Sequence, residues 1–273
     1  MSYWMMLRRK RLIAACGINV AALDITYSAA NGMTDEIVAM ADGKYRLLTL
    51  KKSGTLNIPE EVIADVWLCG GGAKGQSWDG GGGGYVTSYS GILPLSSVTT
   101  VGAGNGGGSS FALADSTLTA NGGSGVNGGS GGGRGGRLTS SGGTGAGVTT
   151  YPFGDTVYFA NRPHSAGGGG GSYIKLDKEE YYGGTGGSNG SNGGSRRQGK
   201  QGDMAGGAGG SYGGGIGGEI DYQNSRGEAG GSAYFYGGGG GGYAHYYSEY
   251  NDETPGSGYQ GVIYVRIPLK QAA

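Results

Sequence analysis

Tyr259-Gln260-Gly261-Val262-Ile263-Tyr264-Val265-Arg266-Ile267, stopped by Pro268, is the most strongly β-forming stretch of this chain, and it follows a long body saturated with glycine. A loose glycine tail has no use for such a strand, whose N–H and C=O groups need partners. The stretch therefore predicts ordered β-structure that gathers both ends of the glycine body. Working back, Tyr45–Leu50, Gly54–Ile58 (stopped by Pro59) and Ile63–Cys69 have the β-branched content and short spacing of strands. In the third, Ile63, Asp65, Trp67 and Cys69 oppose Ala64, Val66 and Leu68. Further strand material lies at Tyr85–Tyr89, Ser97–Val101 and Phe111–Thr119.

Of the 69 glycines in 273 residues, only Gly17, Gly32, Gly43 and Gly54 precede residue 70. Composition changes near residue 70, and the expected division is into residues 1–44, a head of ordinary composition, and a glycine-rich domain over 45–270 that includes its bracketing strands. Within the first part, Thr34–Ala41 reads as a short helix, capped by Thr34 and stopped at Gly43. In the second, strands at 45–69, 85–119 and 259–267 surround the glycine body.

Glycine loses more backbone freedom on folding than any other residue and brings no side chain to bury. An ordered glycine body therefore needs compensation. Extended left-handed helices with three residues per turn and a rise of about 3.1 Å supply it, because their amides bond to neighbouring helices. Only residues without Cβ let backbones approach so closely. Each inter-helix bond contributes about 0.5–1.5 kcal/mol net, so a few dozen offset much of the glycine entropy. A flexible linker fits less well, since Tyr, Phe, Ile and Leu interrupt the runs and strands bracket them. Collagen is excluded by the lack of a strict three-residue sequence period and by a total of six prolines. The expected fold class is mainly β and irregular: a small β-sheet gathering a bundle of polyglycine-II helices joined by aromatic loops.

The formal charge is zero, which removes the usual basis for nucleic-acid binding. One arginine-glycine unit, Gly131–Arg137, is too little repetition for an RNA-binding box. The segment Gly71–Ser77 carries Lys74 and Ser77 but not the Gly-Lys-Ser/Thr order of a phosphate loop. His164 and His245, the only histidines, have no second ligand at metal spacing and read as loop residues. Asp177, Glu179 and Glu180 read as a solvated acidic group, so no catalytic constellation, metal site or cofactor is expected and the chain is read as a non-enzyme. Cys16 and Cys69 form no disulfide framework and are expected to be reduced and buried. The basic cluster Arg8-Arg9-Lys10-Arg11 precedes an apolar run broken by Gly17 and Asn19, which argues against an export signal. No run is long enough to span a bilayer as a helix, and a soluble chain is expected.

Seven blocks carry a resemblance: YRLLTL (45–50), SGTLNIP (53–59), ADVWLCGGG (64–72), GGGGGYVTSY (80–89), VGAGNGGGSSF (101–111), LTANGG (118–123) and GVIYVR (261–266). Their order resembles the glycine-rich domain of bacteriophage tail and fibre proteins. In architecture the chain is also similar to the polyglycine-rich adhesins at the tips of long tail fibres. The resemblance implies a virion protein, made in the host cytoplasm, whose loops recognise a polysaccharide or an outer protein on the bacterial surface. It also implies other tail or baseplate proteins as partners of residues 1–44, with Arg8, Arg9, Lys10 and Arg11 as attachment candidates, and it leaves a homotrimer open. The runner-up reading is a structural tail-tip, baseplate or capsid-decoration protein without a receptor; an ice-binding face is a more remote third.

Between the glycine runs the chain is aromatic, and tyrosine offers a large, low-entropy contact face with a hydroxyl. The receptor-binding candidates are Tyr151, Phe153, Tyr158, Phe159, Tyr181, Tyr182, Tyr243, His245, Tyr246, Tyr247 and Tyr250. The same rings have a second use, capping the glycine bundle and supplying its missing core. Segments 151–159 and 243–250 are the expected binding tips.

Overall fold

The computed structural model describes residues 18–129, 132, 151–160, 164–168, 173–175, 180–182, 209, 213–218, 220–221, 226–244 and 254–270. It is mostly β-structure with almost no helix: two short 3-10 turns, at Val20–Ala22 and Pro152–Gly154, are its only helical elements among those residues. Two antiparallel five-stranded sheets carry the fold.

The first sheet contains β1 (Thr26–Tyr27), β4 (Gly54–Asn57), β7 (Ser96–Thr100), β8 (Ser109–Ala112) and β9 (Thr117–Ala120), in that spatial order. The second contains β2 (Met33–Met40), β3 (Gly43–Leu50), β5 (Ile63–Cys69), β6 (Val86–Ile92) and β14 (Val262–Pro268), in the order β2-β3-β14-β5-β6. The closing stretch of the sequence is thus the central strand of this sheet, pairing with β3 from Ile263↔Leu50 and with β5 from Val262↔Cys69. Two small hairpins complete the described strands. One joins β10 (Tyr173–Lys175) to β11 (Glu180–Tyr182), the other β12 (Ile220–Asp221) to β13 (Arg226–Gly227).

The sheets pack face to face over an apolar layer. Leu48, Leu50, Ala64, Val66, Leu68, Ile263, Val265 and Ile267 from the second sheet meet Leu56, Phe111 and Ala120 from the first. Fully burying a side chain of this size contributes about 1.5–3 kcal/mol, so this layer is the main stabilising element. The opposite face of the second sheet is also covered. There Val38, Met40, Tyr45, Leu47, Trp67, Cys69, Val262 and Tyr264 form a second core with Phe159. Burial on both faces explains why β5 and β14 read as near-continuous apolar runs.

The structure corrects the helix expected at Thr34–Ala41: these residues fall in β2. They pair with β3 in unbroken register from Met33↔Leu50 to Met40↔Gly43. Val38 and Met40 are buried while Ile37 and Ala39 are exposed, a two-residue period. The open edge of β3 offered a ladder partner, and that tertiary gain outweighs a modest local preference for helix. The same hairpin places residues 33–44 within the second sheet, while Thr26–Tyr27 pair with β4 in the first. Arg46 reinforces this, donating to the Val20 and Leu23 carbonyls at 2.9 and 2.7 Å while its Nη2 pairs with Asp35 at 2.6 Å. The boundary expected at residue 44 therefore cuts through paired strands. Residues 8–11 lie outside the described residues.

Glycine segments leave one end of this sandwich. Residues 70–75 and 80–84 form an antiparallel pair closed by Gln76 N–H to the Asp79 carbonyl at 2.8 Å. At its base, Gly70 N–H donates to Tyr85 and Tyr85 N–H to Asn121, both at 2.9 Å. Ser109 Oγ fastens the same base, donating to Cys69 O at 2.7 Å and accepting from Gly102 N–H at 2.9 Å. Beyond it the segments bond to one another with a step of three. Gly72 and Gly75 donate to Tyr259 and Gly256; Gly81 and Gly84 to Gly240 and Gly237; Gly215 and Gly218 to Gly239 and Gly242. Between members of a pair the chain turns to another neighbour, as when Gly82 donates to Gly125. At most of these glycines an added Cβ would lie against a carbonyl of an adjacent segment, as at Gly84 against Gly70 O.

Candidate functional site

The face of the second sheet away from the first carries two cross-strand rows. One runs Glu36, Leu47, Arg266, Asp65, Ser90; the next runs Thr34, Thr49, Tyr264, Trp67, Ser88. Both are polar on the two edge strands and, apart from the buried Thr49, aromatic, apolar or ion-paired in the middle. Residues 151–160 lie over the middle and leave a cleft on each side. The cleft toward β2 holds about 240 Å³ and is lined by Glu36, Lys51, Tyr158, Tyr236 and Tyr264. The one toward β6 holds about 420 Å³.

Asp155 anchors the covering segment. One carboxylate oxygen accepts from Ala41 N–H at 2.7 Å; the other accepts from Val157 and Tyr158 N–H at 2.9 and 2.7 Å. Burial alone would raise this carboxyl, but the three backbone donors and the charge of Arg266 outweigh it and hold it below the ordinary carboxylate range. Its folded value is depressed, so its contribution is complete above the unfolded value near pH 3.9 and is lost as pH falls through the lower folded one. Asp155→Asn keeps the shape but replaces one acceptor oxygen by a donor. We expect it to release the segment at neutral pH, at a cost of about 1–3 kcal/mol, seen as faster amide exchange at Val157 and Tyr158. Native exchange at those two amides should accelerate only below the ordinary carboxylate range.

Arg266 is the charged centre of the face. Its Nε donates to Asp65 at 2.8 Å, and its Nη2 lies 3.1 Å from Asp42. The guanidinium is held between the rings of Tyr45 and Phe153, 4.5 Å from each centroid. Cations over aromatic faces gain electrostatically from the ring quadrupole. The positive φ of Phe153, 57°, is part of the turn that sets its ring there.

His164 departs from the exposed loop histidine expected: it is fully buried. Its Nε2 lies 3.0 Å from the Tyr264 hydroxyl, and its ring meets Trp67 edge-on and stacks with Tyr236 at 11° between planes. Its surroundings are those of a core residue. Cys69 is a free, buried thiol as expected, and burial pushes its pKa up, which leaves it protonated and unreactive.

The structure separates the sequence candidates. Tyr151, Phe153 and Tyr158 are half-buried against the second core, and Phe159 is 3% exposed within it. Phe159 is therefore not placed to touch a receptor, and segment 151–159 acts first as the cover of a sheet. Tyr181 and Tyr182 fall in β11. Tyr243 lies at the end of the glycine body away from the sandwich, where Ala244 N–H donates to Glu228 at 2.9 Å. His245, Tyr246, Tyr247 and Tyr250 lie outside the described residues. Trp78 was not singled out from the sequence. It sits in the 76–79 turn at that same far end, half-buried, its backbone against Gly242. The legible signal was an aromatic residue between two glycine runs.

Among the described residues no group of three or more His, Cys, Asp or Glu is arranged to hold a metal. Nor is any helix among them long and apolar enough to cross a membrane. No family model matches the chain, and no curated protein sequence matches it.

Proposed function

We propose that the chain is a phage tail or fibre-tip protein that recognises a bacterial surface receptor through aromatic loops on a polyglycine scaffold, and that it is not an enzyme. The observation that carries this reading is the three-residue step of the bonds between glycine segments. That step is what polyglycine-II helices would give, since three residues per turn point successive amides to different neighbours. Such a bundle is stiff, because its backbones interlock without side chains between them. A stiff body anchored at one end by a sandwich is suited to holding loops at the other. Trp78 and Tyr243 lie at that far end, and the aromatic segment His245–Tyr250 follows directly in sequence. With a rise of about 3.1 Å per residue, a segment such as 237–244 extends the tip by roughly 25 Å.

The test is adsorption of the purified chain to a panel of bacterial strains, beside a Trp78→Ala/Tyr243→Ala/Tyr246→Ala variant. We expect host-restricted binding that the variant loses at least tenfold while its melting temperature is kept. Retention of binding by that variant would move the receptor site elsewhere. No binding to any strain by a folded chain would favour a structural tail-tip, baseplate or decoration role. One observation already supports that second reading: the aromatic segment 151–159 turns its rings inward.

A further inference from the structure

We propose that the cleft between residues 151–154 and the edge strand β6 is a subsite for a neutral pyranose unit of a surface glycan. This rests on the adhesin reading and adds to it a second contact, on the sandwich rather than at the glycine tip. The cleft, about 420 Å³ as the described residues form it, lies within the roughly 300–1,000 Å³ range of small-molecule sites. Its walls differ in chemistry. Tyr151 and Phe153 form one side, both partly exposed and lining the cleft. The exposed hydroxyls of Ser88 and Ser90 form the other, and Asp65 lies beside Ser90 across the β5–β6 ladder. Trp67 closes the floor. An apolar ring wall facing a row of hydroxyls and a carboxylate matches a ligand with an apolar C–H face and a rim of hydroxyls, which describes a pyranose.

The same residues select against charge. The cation of the cleft, Arg266, is already engaged by Asp65 and Asp42 and enclosed by Tyr45 and Phe153. Among the described residues lining this cleft Arg266 is the only cation to meet a sugar acid or a phosphate, and the Asp65 carboxylate repels both. An acidic sugar would therefore lose hydration without gaining a partner.

Saturation-transfer NMR on the full chain tests this with glucose, galactose, mannose and N-acetylglucosamine, using glucuronate and sialic acid as charged counter-probes. We expect transfer to at least one neutral sugar and at least tenfold less to the acids. Ser88→Ala/Ser90→Ala, on an exposed strand edge where folding should be unaffected, should weaken binding at least tenfold with unchanged melting temperature. Tyr151→Ala should weaken it similarly, and Tyr151→Phe should restore it. Equal transfer to charged sugars, no transfer to any sugar, or full binding by a folded serine double variant would each overturn the subsite. Cell adsorption of the same variants separates the two readings. Adsorption without sugar binding rejects the subsite and leaves the adhesin standing. Sugar binding without adsorption to any strain keeps the subsite and counts against the adhesin.

Discussion

Gly84→Ala is expected to leave the chain largely insoluble, or to lower the melting temperature of any soluble fraction by at least about 10 °C. The native Gly84 N–H donates to Gly237 O at 2.8 Å, and the Ser165 hydroxyl donates to Gly84 O. A Cβ on this residue would lie against the carbonyl of Gly70, whose own N–H is bonded to Tyr85 at the base of the 70–84 pair. Side chains relieve overpacking by changing rotamer, but a backbone carbonyl cannot. Overpacking in an ordinary core costs about 1–3 kcal/mol. Here at least two inter-segment bonds would be displaced as well, each of about 1 kcal/mol and each leaving buried groups without partners. The total, about 4 kcal/mol or more, belongs to the rare severe class of point mutants. Gly108→Ala is the internal control. Its added Cβ would stand 3.4 Å from Ala120 O, ordinary contact, so the change should lie within about 1 kcal/mol of native and is helped by lower entropy in the unfolded chain. Gly154→Ala is a second control, with open space but φ of +70°, and strain alone should cost it about 1–2 kcal/mol. Melting temperatures of the three variants therefore rank the causes. Similar values for Gly84→Ala and Gly108→Ala would refute close backbone packing as the basis of the glycine content.

These effects show what the sequence made legible and what it withheld. Strands β3 to β7 and β14 were readable, because β-branched runs bounded by glycine and proline depend on local chemistry; β8 and β9 read as one stretch, Phe111–Thr119, without the turn that separates them. The role of β14 as gatherer of the glycine body was readable from its position alone. Strand β2 was not. Thr34-Asp35-Glu36-Ile37-Val38-Ala39-Met40 has no strong local preference, and its state is decided by the free edge of β3 across a two-residue turn. An ordered glycine body could be expected from the strands that bracket it, but which segments neighbour which is set by long-range bonds such as Gly75 to Gly256. No spacing in the sequence encodes that. The candidate aromatics were readable as a class and not as individuals. A ring sealed in a core and one left partly exposed have the same composition around them, so Phe159 and Tyr243 looked alike. His164 and Arg266 were missed as organising residues for a related reason. Their partners, Tyr264, Tyr236, Asp65, Asp42 and Phe153, are dispersed along the chain.

Arg266→Met is expected to cost about 3–5 kcal/mol, the second large effect, and the way it can be rescued identifies its cause. Arg266 lies on the central strand, 9% exposed, with β3 on one side and β5 on the other. Removing it leaves the carboxylate of Asp65, about a quarter exposed, against an apolar surface with no cation to meet it. A broken buried pair is more costly than an absent one, because the remaining charge keeps its desolvation penalty. Arg266→Met/Asp65→Val should therefore recover at least half of the loss, since Asp42 is about half exposed and can return to water. Arg266→Lys should recover little. An ammonium carries the charge but cannot place a planar group between Tyr45 and Phe153 while meeting two carboxylates from different directions. Urea unfolding of the three variants, with amide exchange at Val157 as a local readout, checks the scheme. Full stability of the lysine variant would reduce Arg266 to a simple point charge. Failure of the double variant to recover would place the cost in the lost stacking instead, because Phe153 would then lack the guanidinium that seats its ring over the sheet. Either result bears on the clefts, since the guanidinium that seats Phe153 also fixes the wall that Phe153 and Tyr151 form.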